Sequence, residues 1–292
     1  MEGGVTNKRM TVRRPAFTYP SPMPGHWNPR LPAFSHIVNA ASLAMPYLEP
    51  YLIKSMRAAR DSVRDEALKK ALDDYVAQES MHFSQHRRFN DTLIARGYRC
   101  IEALQARMAA DYARLGDTRS LAFNLAYAEG FESMALALGE MLIEDREHLF
   151  GGGESCVASL VLWHFVEEIE HKNVAFDVFE HVAGGYFRRV HGLLYATLHI
   201  FLLTRSGYQA LLKEDGLWGN VRLRLALARL LARIFANLTP KLLRILVPGY
   251  NPRQVADPPW ALAWARLFAS TPQAAARLDT ARLAETQPAT LA

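Results

Sequence analysis

The sequence predicts an all-α protein, and the placement of its prolines is the first reason. Eight of the 15 prolines fall within the first 50 residues, and residues 51–239 contain none. A proline costs about 3 kcal/mol inside a helix, so a proline-free run rich in Ala, Leu, Glu and Arg favours helices. Apolar residues recur with helical periodicity along this run. We expect residues 1–35, in contrast, to form an extended, proline-rich arm.

Four long helices are predicted by this periodicity and by the glycines that end it. They cover about residues 42–61, 65–96, 118–150 and 155–182. Pro46 and Pro50 are expected in the first turns of the first helix or before its start.

The connections between these helices predict the topology. Short links near residues 61–65 and at the triple glycine 151–153 predict two antiparallel hairpins. Residues 98–117, with a short helical pattern of their own, then form a long crossover between the hairpins. Two hairpins joined by one long crossover are typical of a ferritin-like four-helix bundle. We expect residues 36–185 to form this bundle.

Residues 186–292 are predicted to be a helical extension, with helices over about 187–213, 217–238 and 259–269 packed outside the bundle. This extension has 14 Lys or Arg against 5 Asp or Glu, a balance of +9, which leaves −4 for the rest of the chain. In one of its helices Arg222, Arg229 and Arg233 lie opposite an apolar side. The hypothesis is a peripheral contact with a membrane surface, and the alternative is a helix packed on the bundle with a solvated basic face.

Composition excludes several classes of protein. With 50% apolar and 22% charged residues, the chain is typical of a globular protein. The longest apolar stretch, residues 190–204, is interrupted by two histidines and is shorter than the roughly 18 to 20 residues of a membrane span. Two cysteines are too few for a disulfide framework or a thiolate metal site, which favours the cytoplasm, with the inner face of the membrane as an option. No helix-turn-helix, zinc-finger or basic–aromatic pattern favours nucleic acid.

Two of the predicted helices carry histidines and glutamates at metal-ligand spacing. Glu79 and His82 lie at i and i+3 in the second helix. His164, Glu168 and His171 lie at i, i+4 and i+7 in the fourth helix, so they form one stripe. Each hairpin thus contributes a Glu-x-x-His motif from its second helix.

The first helices of the hairpins supply further carboxylates, Glu49 on one and Glu129 or Glu132 on the other, of which we choose Glu132. A di-iron or di-manganese carboxylate site needs a Glu from each of two helices and a Glu-x-x-His from each of the other two. The alternative is a structural network of buried polar groups. The predicted metal ligands are Glu49, Glu79, His82, Glu132, His164, Glu168 and His171, with Glu129 and His86 as alternates or supporting neighbours.

We expect Glu79 and Glu168 to bridge two metal ions. Glu49 and His82 are assigned to one ion, and Glu132, His171 and His164 to the other. Glu167 and Glu170 are expected to face solvent or basic partners. Two iron ions are preferred, because carboxylates suit ferric and imidazoles ferrous iron, with manganese or zinc as the alternative.

The preferred function is that of a di-iron oxidase or oxygenase, which uses O2 to oxidise a small apolar or amine-bearing substrate. The alternative is a dinuclear hydrolase of esters, amides or phosphates that uses a metal-bound hydroxide, and an iron store or structural metal bundle ranks last. Candidate substrate contacts, which can equally be plain core, are Phe83, Phe131, Trp163 and Phe165. The sequence leaves open an electron-donor protein and a homodimer.

Several stretches resemble a bacterial family of metal-dependent hydrolases. They are Pro46–Glu49, Gln78–His82 with His86, Glu168–Asp177 and the tail Val247–Pro252. This resemblance implies a ferritin-like fold and a metal site over about residues 14–258. The tail has Tyr250-Asn251-Pro252 where the family usually has Phe-His-Pro, so this chain offers no histidine there. The stripe of the fourth helix is also similar to that of the di-iron arylamine N-oxygenases.

Overall fold

The computed structural model describes residues 10–291, and the prediction of an all-α protein is confirmed for them. Within this range the backbone forms no β-strand, apart from an isolated bridge between Leu278 and Thr290. The helices are α1 (Pro32–Ala59), α2 (Glu66–Ala95), α3 (Cys100–Thr118), α4 (Leu121–Glu144), α5 (Arg146–Phe150), α6 (Ser155–His171), α7 (Val174–Val182), α8 (Tyr186–Glu214), α9 (Val221–Ile245), α10 (Pro259–Ser270) and α11 (Pro272–Ala275).

Helices α1, α2, α4 and α6 surround the candidate site as two hairpins. Helices α1 and α2 run antiparallel, since Arg60 pairs with Asp73 at the turn while Ser42 contacts Asn90 at the other end. Helix α3 is the crossover, and it packs against α1 and α8. This arrangement is compatible with the ferritin-like bundle that the connectivity predicts.

The predicted start of the first helix is wrong, because α1 begins at Pro32 and contains Pro46 and Pro50 in its interior. A proline at 46 leaves the carbonyl of Ser42 without its helical N–H partner. The amide Nδ2 of Asn90 donates to that carbonyl at 2.9 Å. A side chain of α2 therefore replaces the missing hydrogen bond.

The third and fourth predicted helices are each interrupted once. The third ends at Glu144 and resumes as α5, and the fourth is divided between α6 and α7. At the first break Arg233 of α9 pairs with Asp145, and at the second Lys172 donates to the carbonyl of Val255 and to Asp257. Both breaks therefore lie where a residue binds a distant part of the chain.

The extension packs on the bundle through α8, which crosses α4 and α1. Gly130 and Gly192 lie at the crossing of α4 and α8, and a Cβ on either would overlap the backbone of the opposite helix. Helix α9 starts later than predicted, where Asn220 caps it, and it continues past Pro240. No described helix is long and apolar enough to span a bilayer.

The described part of the arm, residues 10–31, is not helical and packs against the bundle. Phe17, Met23 and Trp27 are at most 2% exposed and belong to the hydrophobic core. The backbone N–H of Glu154, at the start of α6, donates to the carbonyl of Trp27. The arm therefore covers the bundle. The proposed division at residues 35 and 185 stays a prediction.

Candidate metal centre

The four bundle helices bring all seven predicted ligands into one buried cluster. Helix α1 supplies Glu49, α2 supplies Glu79 and His82, α4 supplies Glu132, and α6 supplies the remaining three residues. None of the seven is more than 4% exposed. Buried carboxylates and imidazoles need compensation by partners or by a metal ion. The contacts of each side chain show which compensation is present.

The cluster divides into two groups, within each of which the ligand atoms lie no more than 4.8 Å apart. One group is Glu49, His82 and His164, and the other is Glu79, Glu132, Glu168 and His171.

Two carboxylates lie between the groups. Glu168 places Oε1 3.0 Å from Nε2 of His164 and Oε2 3.1 Å from Nε2 of His171. Oε1 of Glu79 lies 3.5 Å from Nδ1 of His82 and 3.4 Å from Nε2 of His171. These are the positions that bridging carboxylates would need.

The position of His164 differs from the prediction. We expected it beside Glu132 and His171, but it lies with Glu49 and His82. Its ring stacks on that of His82 with centroids 4.2 Å apart, and its Nε2 is 3.9 Å from Oε1 of Glu49. Seven helical residues separate His164 from His171, a rise of about 10 Å, so the two rings lie at different ends of the cluster.

The outer nitrogen of His82 is held by a buried ion pair. Its Nε2 lies 3.1 Å from Oε2 of Glu167, whose other oxygen accepts from Arg13 at 3.1 Å. Arg13 also forms a bidentate pair with Glu170. Both glutamates thus have a basic partner, as expected, but the expectation that Glu167 points away from the cluster is wrong, because it contacts His82. Donation from Nε2 leaves Nδ1 of His82 free to face Glu79 and Glu168.

The other two histidines are held in the same way. Nδ1 of His171 is 3.1 Å from the amide oxygen Oε1 of Gln78. The amide nitrogen Nε2 of Gln78 donates to the carbonyl of Thr11, which fixes the orientation of the amide. Nδ1 of His164 is 2.8 Å from Nε2 of His86, which was expected as a supporting neighbour. In His171 and His164 the outer nitrogen Nδ1 is thus occupied, and Nε2 faces the carboxylates.

Seven of the atoms that face inward, in contrast, lack hydrogen-bond partners within residues 10–291. They are both carboxylate oxygens of Glu49 and of Glu79, one oxygen each of Glu132 and Glu168, and Nδ1 of His82. Carboxylate oxygens and imidazole nitrogens are ligands for iron, manganese and zinc. Occupied outer atoms around unpartnered inner atoms are what a metal centre requires, so the residues present fit bound metal ions.

Burial and mutual repulsion change the proton affinities of the cluster. Burial, with the neighbouring charge of Glu79, raises the pKa of Glu49 well above its usual value. Burial opposes a charged ring at His82, but Glu79 and Glu167 outweigh it and raise the pKa of His82. Without metal the cluster therefore retains protons, and bound cations would displace them.

Glu129 and Glu132 have different surroundings although both are buried. Glu132 accepts a hydrogen bond from Tyr75 at 2.7 Å and lies 3.2 Å from Nε2 of His171. Glu129 instead accepts from Ser133 at 2.8 Å and is not part of the cluster. The geometry agrees with the choice of Glu132 as the ligand, although the ligand role itself stays a prediction.

The aromatic candidates for substrate contact are distributed differently. Trp163 is fully buried and meets the ring of His82 edge-on, with centroids 4.9 Å apart. Phe131 is buried, and Phe165 is partly buried against Gly139.

Phe83 reaches the surface and lines a depression of about 370 Å³ between α1 and α2, together with Pro50, Ile53, Lys54, Arg57 and Ser80. In the sequence, Pro50, Ser80 and Phe83 directly follow the candidate ligands Glu49, Glu79 and His82.

The predicted amphipathic helix is largely exposed. Arg233 is paired with Asp145, whereas Arg222 and Arg229 are exposed. Helix α9 contains no acidic residue. Exposed apolar side chains lie on it and on α8, and we call this surface the α8–α9 face: Phe187, Leu194, Leu198, Phe201, Leu202, Leu225, Phe235 and Leu243.

The all-α fold and the buried carboxylate–histidine cluster are typical of helical proteins that bind metal ions. Over residues 11–256 the chain matches the family described as predicted metal-dependent hydrolase, and it belongs to that family. The matched range covers α1 to α9 and all seven cluster residues, so the resemblance to this family is confirmed. No significant match was found among curated proteins or among solved structures.

Proposed function

We propose that the seven-residue cluster binds two metal ions and is the active site of a metal-dependent enzyme. The observation that carries this proposal is the contrast between the occupied outer nitrogens of the three rings and the seven inner atoms without a hydrogen-bond partner among the described residues. The charge of four carboxylates also matches that of two divalent cations. Bound cations would relieve the repulsion among the carboxylates, which the metal-free protein reduces by holding protons.

We assign Glu49, His82 and His164 to one ion, and Glu132 and His171 to the other. Glu79 and Glu168 lie between the two groups and are the candidate bridges.

The reaction that the family description favours is hydrolysis. Two bound divalent ions would lower the pKa of water and polarise an ester, amide or phosphate group. The residues of the chain orient the three rings, through Glu167, Gln78 and His86, and exclude bulk water from the cluster. The depression between α1 and α2 is the proposed approach for the substrate. Lys54 and Arg57 line it, so we expect the substrate to carry a carboxylate or phosphate.

O2-dependent oxidation is the second candidate, and the donor set favours it. Four carboxylates with three imidazoles stabilise both ferric and ferrous iron, and a cluster no more than 4% exposed protects an oxidant from water. This reaction would need an external electron donor.

Metal content and oxygen dependence test these proposals together. Protein from iron-supplemented cells is analysed for iron, manganese and zinc, reduced without air, and then exposed to O2. Turnover of esters, amides and phosphates that is equal with and without O2 supports hydrolysis. An optical change on O2 addition in protein with about two irons supports oxidation and counts against hydrolysis.

Glu132→Gln and Glu129→Gln provide a matched pair on one helix, one turn apart. The first removes a cluster carboxylate and is expected to lower the metal content, whereas the second lies outside the cluster and is expected to leave it unchanged. Full metal content in Glu132→Gln would contradict the assigned site.

A further inference from the structure

A second group of side chains that can ligate a metal ion lies away from the candidate metal centre. It consists of His26 in the arm, His36 in α1 and Asp215, the residue that caps the C-terminus of α8, and we call it the arm site. His36 precedes Glu49 by 13 residues of the same helix, a rise of about 20 Å. The arm site is therefore separate from the cluster.

Three atoms converge closely in the arm site. Nε2 of His26 and Nε2 of His36 lie 3.1 Å apart, and each is 2.8 Å from Oδ2 of Asp215. The hydroxyl of Tyr98 lies 3.0 Å from the same oxygen. A carboxylate oxygen has two lone pairs, so three donors exceed what it accepts well. Hydrogen bonding alone would also place either two N–H groups against each other or the lone pair of one ring nitrogen against the carboxylate oxygen.

A cation between these atoms resolves the crowding. In a tetrahedral site with bonds of about 2.0 to 2.1 Å, neighbouring ligand atoms lie about 3.3 Å apart. The observed triangle of 2.8 to 3.1 Å needs to widen by only a few tenths of an ångström. Two imidazoles and one carboxylate suit zinc and similar ions better than calcium or magnesium, which prefer oxygen ligands.

Exposure and support of the arm site also suit a metal ion. The side chain of His26 is 32% exposed and that of Asp215 19%, so an ion can enter and a fourth position can hold water. His36 is fully buried. The amide of Asn39 accepts from the indole of Trp27 and donates to the carbonyl of Gly25, which holds the arm on either side of His26 against α1.

We propose that His26, His36 and Asp215 bind a third metal ion, a zinc-class divalent cation, that fastens the arm to α1 and α8. The same arm carries Arg13, which pairs with Glu167 behind His82. Fixing the arm therefore also supports the orientation of a histidine in the cluster. The arm site does not depend on which reaction the cluster performs.

Zinc binding by the full chain tests this proposal. Metal-free protein is dialysed against buffered Zn²⁺, and the bound zinc per chain is measured for wild type, His26→Gln and Asp215→Asn. Each variant is expected to bind one equivalent less than wild type, whatever number the cluster holds. His191→Gln, which changes an exposed histidine of α8, is the control and is expected to bind as much as wild type.

His26 lies outside any helix and is partly exposed, so its replacement is expected to leave the helical circular dichroism unchanged. Unchanged zinc content in a folded His26→Gln would overturn the proposal and identify the three side chains as a hydrogen-bonded network. A loss of zinc in Glu132→Gln but not in His26→Gln would separate the outcome for the cluster from that for the arm site.

Discussion

The isosteric change Glu129→Gln is expected to stabilise the protein above neutral pH. Glu129 is buried in α4, and only one of its carboxylate oxygens has a hydrogen-bond partner within the described residues. The pKa of Glu129 is raised to about 7, because burial outweighs the hydrogen bond from Ser133 and the charge of Arg189, which both lower it. A glutamine keeps the acceptor for Ser133 and cannot ionise.

The sign of the effect follows from the two protonation equilibria. Below about pH 4.5 the carboxyl of Glu129 is protonated in the folded and the unfolded chain. Its ionisation then does not change the free energy of unfolding. Between about pH 4.5 and 7 only the unfolded chain ionises, and the stability of wild type falls. At about 1.4 kcal/mol for each tenfold difference in proton affinity, a pKa of about 7 against 4.5 corresponds to about 3 kcal/mol.

Denaturant and thermal unfolding from about pH 4 to about pH 8, with a chelator present throughout, measure this difference. The two proteins are expected to be equally stable at the acid end. At the alkaline end Glu129→Gln is expected to melt about 5 to 10 °C higher. Glu102→Gln, at an exposed position of α3, is the control and should follow wild type. If the stabilities of Glu129→Gln and wild type stay parallel across this range, burial does not hold this carboxyl neutral.

Three further predictions concern helix packing, the proline-containing helix α1 and the α8–α9 face. Gly192→Ala places a Cβ against the carbonyl of Ala126 and is expected to lower the free energy of unfolding by about 1 to 3 kcal/mol; unchanged denaturant unfolding would contradict the tight crossing. Asn90→Ala leaves the buried carbonyl of Ser42 unpaired and is expected to cost about 1 to 3 kcal/mol in the same assay. The protein is expected to sediment with anionic vesicles at low salt through the α8–α9 face, and recovery in the supernatant would exclude this membrane contact.

Local patterns predicted the helices but not their interruptions. The absence of proline over residues 51–239 and the glycines between segments were sufficient for element type and for the two hairpins. No glycine or proline at Asp145 or Lys172 signals the two breaks. Each break residue pairs with a side chain far along the chain, Arg233 or Asp257, which local patterns do not reveal. The same reasoning explains why proline mispredicted the start of α1, since its compensation comes from another helix.

The residues of the cluster were predictable for a related reason. Ligands on one face of a helix must recur every three or four residues, so Glu-x-x-His and the stripe of α6 are visible in the sequence. Of the groups that hold the outer nitrogens, Gln78 and His86 also follow this spacing, four residues before and after His82, but the Arg13–Glu167 pair behind His82 does not. Arg13 and Glu167 are 154 residues apart, and only the packed arm brings them together. The arm site is invisible for the same reason, because its three residues lie on three separate elements.

The rise per residue of an α-helix, which the spacing rule leaves out, explains the position of His164. A stripe at i, i+4 and i+7 is about 10 Å long, so its ends lie near different groups and its middle residue lies between them. Glu168 is that middle residue, with one oxygen 3.0 Å from His164 and the other 3.1 Å from His171. The stripe of α6 therefore runs from one group of ligand atoms to the other. This places the third imidazole beside Glu49 and His82, and it gives both groups a histidine from the same helix.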